Sequence, residues 1–149
     1  MIPPDVAVCD DCIRDIFTPG GRYEGYWATS CVNCGPRYSI IKTLPYDRER
    51  TAMDAFPTCT PCGAEYADPA CRRHHAQTIA CASCGPSLAL LGPDGTERAC
   101  ADPVAAAAAM LDAGQILAVR GLGGSTSPSS EEAARRPGGS PGAQDGPLR

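Results

Sequence analysis

The sequence has few aromatic residues and no long apolar run. Phe, Trp and Tyr make up 5% of the 149 residues, whereas the chain contains 16 Gly and 15 Pro. This composition argues against one large hydrophobic core and predicts a loop-rich structure held together by something other than apolar burial. No segment approaches the roughly 18 consecutive apolar residues that a membrane-spanning helix requires. We therefore expect no membrane association.

The sequence also lacks an excess of positive charge and a secretory signal. Its formal net charge of −4 gives no general attraction to nucleic acid or to an anionic membrane surface. Residues 1–6 contain neither a basic segment nor an apolar segment of the kind that directs secretion. We therefore predict a cytoplasmic protein, in which thiols stay reduced and paired cysteines more often bind metal than each other.

Cysteine is abundant, and eight of the ten cysteines form an internal repeat. They occur as four CxxC pairs, and 18 residues separate the two pairs within each set. Each cysteine of the first set lies 50 positions before its counterpart in the second. The same offset relates Arg22 to Arg72 and Gly35-Pro36 to Gly85-Pro86. The sequence therefore predicts a duplicated module. The first set is Cys9, Cys12, Cys31 and Cys34, and the second is Cys59, Cys62, Cys81 and Cys84.

Paired CxxC sequences at this spacing are typical of structural zinc sites. Zn²⁺ in such sites is held tetrahedrally by four ligands, often thiolates, which leaves no open position for catalysis. Adjacent pairs close one site at a lower loop-entropy cost than pairs from different modules, so each set is predicted to hold one ion. Metal binding is then expected to supply most of the folding free energy, on the order of 10 kcal/mol per site. A glycine follows the second cysteine at Gly35, Gly63 and Gly85, where we expect a positive φ.

Several other polar residues carry weaker predictions. Cys71 and Cys100 fall outside the repeat and are interpreted as free thiols. His74 and His75 follow two arginines, and we interpret them as part of a solvated basic patch rather than as ligands. Dispersed arginines in an acidic chain are a weak basis for RNA binding, so nucleic acid is an unlikely partner. The arginines considered for RNA binding are Arg48, Arg50, Arg72 and Arg73. No residue is predicted to be catalytic.

The fold class predicted is a small metal-stabilised protein of tandem four-cysteine zinc-ribbon-like modules, followed by an incomplete α/β start and a disordered tail. The first module with its linker covers residues 3–50, the second 51–100, the α/β start 101–124 and the tail 125–149. The pattern predicts a helical turn after Cys12, a short strand over 38–42, a helical turn over 51–56 and a strand and turn over 88–95. It further predicts a helix over 104–113 that ends at Gly114, and a buried strand over 115–120.

The same residues resemble the HypF family of hydrogenase-maturation carbamoyltransferases. The resemblance rests on the two cysteine modules that each close in Cys-Gly-Pro, and on three flanking segments over roughly residues 3 to 124. It implies two zinc fingers followed by the start of a YrdC-like domain, in which Arg120 stands where the family usually has Lys. The segments are Leu44-Pro45-Tyr46-Asp47-Arg48, His75-Ala76-Gln77 and Arg120-Gly121-Leu122-Gly123-Gly124.

The resemblance implies a function that depends on other domains of the full-length family member. HypF-like proteins use carbamoyl phosphate and ATP, form a carbamoyl adenylate, and pass the carbamoyl group to the C-terminal cysteine of a HypE-like partner. The group becomes a cyanide ligand of the hydrogenase iron. This chain would then be a structural segment with two Zn²⁺ ions, inactive alone because the acylphosphatase-like and transferase domains and most of the YrdC-like domain are missing. The alternatives are a free-standing zinc-binding interaction module, for protein or RNA, and a redox dithiol protein.

The tail is expected to be the product of a frameshift. In the family, the two glycines that correspond to Gly123-Gly124 precede Phe-His-Leu and usually Ala, which GC-rich DNA encodes as TTC CAC CTC GCC. Loss of one T gives TCC ACC TCG CC, which encodes Ser-Thr-Ser-Pro, the sequence found from Ser125 to Pro128. In residues 125–149, 13 of 25 residues are Gly, Pro or Ser. Such a segment cannot bury enough apolar area to offset its chain entropy, hence the expected disorder.

Overall fold

The structure, a computed structural model, describes residues 3–126 and contains short elements joined by turns. None of its helices is long and apolar enough to cross a membrane. The helices are α1 (Asp10–Ile16), α2 (Thr60–Ala67) and α3 (Pro103–Asp112), and 3-10 turns span Tyr38–Ile40, Arg48–Arg50 and Ala52–Ala55. The strands are β1 (Leu90–Leu91), β2 (Glu97–Arg98), β3 (Val119–Gly121) and β4 (Gly124–Thr126).

The chain divides into two compact units. The first contains the described residues up to Ser87 together with Leu122–Gly124, and the second contains the remaining described residues. Both cysteine modules therefore lie in one unit. The finer division at residues 50, 100 and 124 stays a prediction.

The two modules begin with equivalent helices. Cys9 precedes α1 and Cys59 precedes α2 in an extended conformation, so each first cysteine stands at the helix N-terminus. The second cysteine of each pair, Cys12 or Cys62, lies in the first turn of the helix and is fully buried. The helical turn predicted after Cys12 is confirmed, and the duplication seen in the sequence is repeated in the backbone.

The hydrophobic core of the first unit is small and is shared by both modules. Tyr23 and Tyr26 from the first module pack with Ile79 and other buried residues of the second. Cys62 and Cys81 belong to the same core, whereas Cys12, Cys31 and Cys34 form a separate small cluster. Sulfur atoms thus occupy positions that aliphatic side chains fill in larger domains. The remaining members of the shared core are Ile40, Met53, Ala76 and Ala80.

The linker between the modules differs from the sequence prediction over residues 38–42. No strand forms there; Tyr38–Ile40 is a 3-10 turn, and only Ile41 makes an isolated bridge, to Thr51. The Asp5 carboxylate explains the difference because it accepts hydrogen bonds from the amides of Arg37 at 2.6 Å and Ser39 at 3.2 Å, which curls the backbone. The helical turn predicted over 51–56 is confirmed by the 3-10 turn at Ala52–Ala55.

In the second unit, local capping defines a hairpin and a helix. Strands β1 and β2 pair antiparallel around a turn in which the Asp94 carboxylate accepts from the Thr96 amide at 3.1 Å. The Asp102 carboxylate caps α3 by accepting from the amides of Val104 at 2.9 Å and Ala105 at 3.1 Å. Gly114, at φ +78°, follows the end of α3 in a Schellman motif, so the predicted helix and its glycine terminus are confirmed.

The buried strand predicted over 115–120 is wrong. Only Val119–Gly121 is a strand, and it is exposed along its length, while Ile116 is 73% exposed. β3 pairs with β4 in a two-stranded sheet that no further strand joins within residues 3–126, so it has no neighbour on its other edge. Ser125 and Thr126, predicted to be disordered, belong to β4, and the rest of the predicted tail lies outside the described residues.

The three glycines that follow CxxC pairs have different roles. Gly35 has the predicted positive φ, at +90°. Gly63 and Gly85 do not, and for them the prediction is wrong. Gly63 lies inside α2, and a Cβ atom on Gly85 would overlap the Tyr26 hydroxyl and stand 2.6 Å from Ala80 Cβ. Gly85 is therefore required by the close approach of the two modules and not by its backbone conformation.

Because Gly85 is closely packed and Gly63 is not, substitution by alanine should have opposite effects on stability at these two positions. Gly85→Ala should lower the free energy of unfolding by about 1–3 kcal/mol, because Tyr26 and Ala80 leave no room for a methyl group. Gly63→Ala is the matched control: its Cβ would meet only the Thr58 hydroxyl at 3.8 Å, and alanine should stabilise α2 by about 0.5–1 kcal/mol. Denaturant unfolding at a fixed zinc concentration measures both. Equal effects of the two substitutions would contradict the assignment.

Candidate metal centres

The eight repeat cysteines lie in two clusters, and each cluster contains the four cysteines of one module. In each cluster the four Sγ atoms lie within 4.8 Å of one another. Contacts between pairs measure 3.6–3.8 Å in the first cluster and 3.5–3.8 Å in the second. The clusters are Cys9, Cys12, Cys31 and Cys34, and Cys59, Cys62, Cys81 and Cys84. The structure thus brings together the two sets that the spacing singled out.

Two kinds of backbone present the sulfurs in each module. The first pair of each set uses a helix N-terminus, where Cys9 O accepts from Ile13 N at 2.9 Å and Cys59 O accepts from Gly63 N at 2.8 Å. The second pair uses a tight turn, in which Cys84 N donates to Cys81 O at 3.0 Å. In the first module, the Asn33 amide donates to Cys31 Sγ at 3.4 Å. Backbone amides that point at sulfur favour the thiolate form of the ligand.

The separations between sulfur atoms fit a tetrahedral metal ion. With Zn–S bonds of about 2.3 Å, the sulfurs of a regular tetrahedron stand about 3.8 Å apart. A disulfide would bring two sulfurs to about 2.0 Å, and all ten cysteines here are free. The donor set, four thiols on one centre, is the set that Zn²⁺ takes in structural sites. Each cluster could therefore hold one zinc ion.

Proton affinity differs within each cluster. Burial raises the pKa of Cys12 and that of Cys62 to about 12, whereas the backbone hydrogen bond at Cys12 lowers the pKa of Cys9 to about 7. The pKa values of the buried thiols therefore favour the protonated form at neutral pH when no metal ion is bound. A bound cation would displace those protons, so metal binding at these clusters releases protons and weakens as the pH falls.

Each cluster also receives an arginine from the opposite module, which the sequence analysis missed. Arg22 Nη1 donates to Cys62 Sγ at 3.1 Å, and Arg72 Nη1 donates to Cys12 Sγ at 3.0 Å. The fifty-residue offset between the two arginines was visible in the sequence. It indicated duplication but could not show that each arginine reaches across to the other module.

The cysteines and histidines outside the repeat lie away from the clusters. Cys71 Sγ accepts a hydrogen bond from the Arg73 amide at 3.4 Å, and Cys100 is exposed. His75, at φ +53°, packs against Tyr66 in a tilted arrangement with 4.9 Å between ring centroids. None of these residues belongs to a metal-ligating group among residues 3–126.

Most of the arginines considered for RNA contact are used inside the first unit. The Arg48 guanidinium donates to the backbone carbonyls of Gln77 at 2.7 Å, Ile79 at 2.8 Å and Phe56 at 2.7 Å. Arg72 and Arg73 pair with the carboxylate of Asp15, and Arg73 is only 4% exposed. In the patch predicted around His74, the two arginines therefore belong to an ion-pair network within the unit, whereas His74 is half-buried and His75 is exposed.

Comparison with known proteins identifies the same two segments. The HypF finger family matches residues 8–41 and again residues 58–91. The chain is 54% identical over 123 residues to carbamoyltransferase HypF of Rhodobacter capsulatus, covering 83% of this chain and 16% of that protein. It is 48% identical over 120 residues to carbamoyltransferase HypF2 of Cupriavidus necator, covering 80% and 15%. The chain thus spans about a sixth of the length of these relatives.

Solved structures agree with the sequence relatives. Full-length HypF in its phosphate- and nucleotide-bound form superposes with a TM-score of 0.73 at 45% identity, over 83% of this chain and 16% of that one. HypF of T. kodakarensis superposes with a TM-score of 0.79 at 45% identity, over 89% and 18%. Two matching fingers, identity over four fifths of the chain and a shared fold together show that this chain belongs to the HypF family, as a segment that corresponds to its two-finger region.

Proposed function

We propose that the two cysteine clusters bind two structural Zn²⁺ ions, one per module. The observation that carries the proposal is the grouping of four sulfurs at tetrahedral separations, twice, in agreement with the sequence repeat. Four thiolates fill the coordination sphere and leave no position for a substrate or a reactive water, so the ions stabilise structure and do not catalyse. Reduced thiolates at eight positions also favour a reducing compartment, the cytoplasm.

We infer that the zinc-bound unit is a rigid spacer within a HypF-like carbamoyltransferase. Its support is mechanical: the two modules share one small core and a buried ion-pair network, so they behave as one block. Such a block fixes the relative positions of the domains attached to its ends. In the full-length family member those domains would transfer a carbamoyl group from carbamoyl phosphate, with ATP and through a carbamoyl adenylate, to the C-terminal cysteine of a HypE-like partner.

The zinc assignment predicts a stoichiometry and its response to single substitutions. Purified under reducing conditions, the chain should contain about two zinc ions, and Cys31→Ser should reduce this to about one, because the other module keeps all four ligands. Cys71→Ser is the matched control, since Cys71 lies outside both clusters, and should retain both ions. Elemental analysis by mass spectrometry measures the metal content. Less than one zinc in the unsubstituted chain would contradict the proposal, as would loss of both ions in Cys31→Ser at saturating zinc.

The structural role predicts that this segment has no turnover of its own. Residues 1–149 should release no phosphate from carbamoyl phosphate, with or without ATP, because four sulfurs saturate each metal ion and the substrate pockets of the full-length family member would lie in its other domains. Full-length HypF from Rhodobacter capsulatus, assayed under the same conditions, is the positive control. Carbamoyl-phosphate-dependent turnover by the segment that a single substitution within it abolishes would overturn the structural role.

A further inference from the structure

Two arginines cross between the modules, and each ends at a sulfur of the opposite cluster. Arg22 belongs to the first module but lies 3.1 Å from Cys62 of the second, and Arg72 of the second lies 3.0 Å from Cys12 of the first. In both cases the acceptor is the fully buried cysteine in the first turn of the module's helix. Neither arginine contacts a sulfur of its own module within the described residues.

The crossing is reciprocal because of the duplication. The two arginines are 50 positions apart, and so are the two sulfurs that they contact. The same offset relates their carboxylate partners: Arg72 pairs with Asp15 of the first module, and Arg22 pairs with Glu65 of the second at 2.6 Å. The arginine–sulfur and arginine–carboxylate contacts therefore both occur twice, with the roles of the modules exchanged. A contact that arises by chance on one surface would not be repeated in this way.

The chemistry of a zinc-loaded cluster favours such a donor. Four thiolates around Zn²⁺ carry a net charge of −2, and Cys12 and Cys62 hold their share of it with no exposed surface. The Arg22 and Arg72 side chains are themselves only 29% and 28% exposed. A charged N–H donor to a thiolate in such a poorly solvated place forms a strong hydrogen bond. Groups that hydrogen-bond to metal ligands fix ligand orientation and raise metal affinity.

We propose that each zinc centre takes its four sulfur ligands from one module and its charge-balancing guanidinium from the other. Arg72 then sets the metal affinity of the first cluster, and Arg22 sets that of the second. Both are positioning residues, since they act on the metal through a coordinating sulfur. The inference rests on the proposed zinc binding, and it predicts a crossed pattern that neither zinc binding nor a purely structural role for the arginines requires.

The crossed pattern is tested by measuring each site separately in substituted chains. With ¹¹³Cd²⁺ in place of zinc, each cluster should give its own NMR resonance, and Cys31→Ser and Cys81→Ser assign the two signals. Arg72→Gln should lower the affinity of the first cluster by about 10–100-fold in competition with a chelator, shift that resonance, and leave the second unchanged. Arg22→Gln should do the reverse.

Two matched controls separate this role from general effects of charge or packing. Arg14→Gln makes the same charge change on the outer surface of α1, where the side chain is 70% exposed, and should change neither site. Asp15→Asn removes the carboxylate that Arg72 and Arg73 share but keeps the contact of Arg72 with Cys12. It should weaken the first site far less than Arg72→Gln does.

The outcomes decide between the interpretations. The inference is overturned if Arg72→Gln weakens the second site instead, weakens both equally, or has no larger effect than Asp15→Asn. If Arg72→Gln fails to fold, it is refolded with excess metal and compared with Arg72→Lys, which keeps the charge. Arg72→Lys must then bind metal at the first site more tightly than the glutamine variant. Equally weak binding by the two variants overturns the inference. An unsubstituted chain that binds no metal refutes the zinc proposal itself, which is a distinct result.

Discussion

The convergence of four sulfurs in each module is the constraint on which the rest of the structure depends. The described helices of the first unit are two turns long, and its shared core contains only a few large apolar side chains. Isolated helices of this length are not stable in water, and so small a core supplies little free energy. A metal bound by four thiolates contributes on the order of 10 kcal/mol, which is enough to order a module of this size. On the proposed zinc binding, the turns and helix termini that hold the cysteines are consequences of metal coordination as much as supports for it.

The charge that zinc-loaded clusters would carry gives a physical reason for the two modules to pack together. Each loaded cluster is an anion, and the arginines of the other module lie against it. Arg73 strengthens the contact: its guanidinium stacks on the Tyr23 ring at 3.8 Å and lies between the carboxylates of Asp15 and Glu65. Tyr23 in turn donates to Glu65 at 2.8 Å. The interface is thus polar and largely buried, with its charges paired, an arrangement that fixes one relative orientation of the modules.

The sequence was informative where a local rule decides the outcome. Cysteine spacing identified both sulfur sets, and an alanine-rich run followed by Gly114 located α3 and its C-terminus. Several failures share one cause, a contact made by residues distant in the chain. Asp5 turns residues 38–40 away from a strand, Tyr26 occupies the space beside Gly85, and Arg22 and Arg72 reach the opposite module. The contacts of Tyr26, Arg22 and Arg72 depend on how two modules pack, and no periodicity or spacing within one module encodes them.

The claim that metal coordination organises the first unit is tested most directly by removing the metal and watching the backbone. In a ¹⁵N-labelled chain, amide resonances of residues 8–87 should be well dispersed with zinc and collapse to the narrow range of an unfolded chain when a strong chelator is added under reducing conditions. Adding back two equivalents of zinc should restore the original spectrum. A chelated, reduced chain whose amides keep their dispersion would contradict the account, because the fold would then stand on its apolar and ion-pair contacts alone.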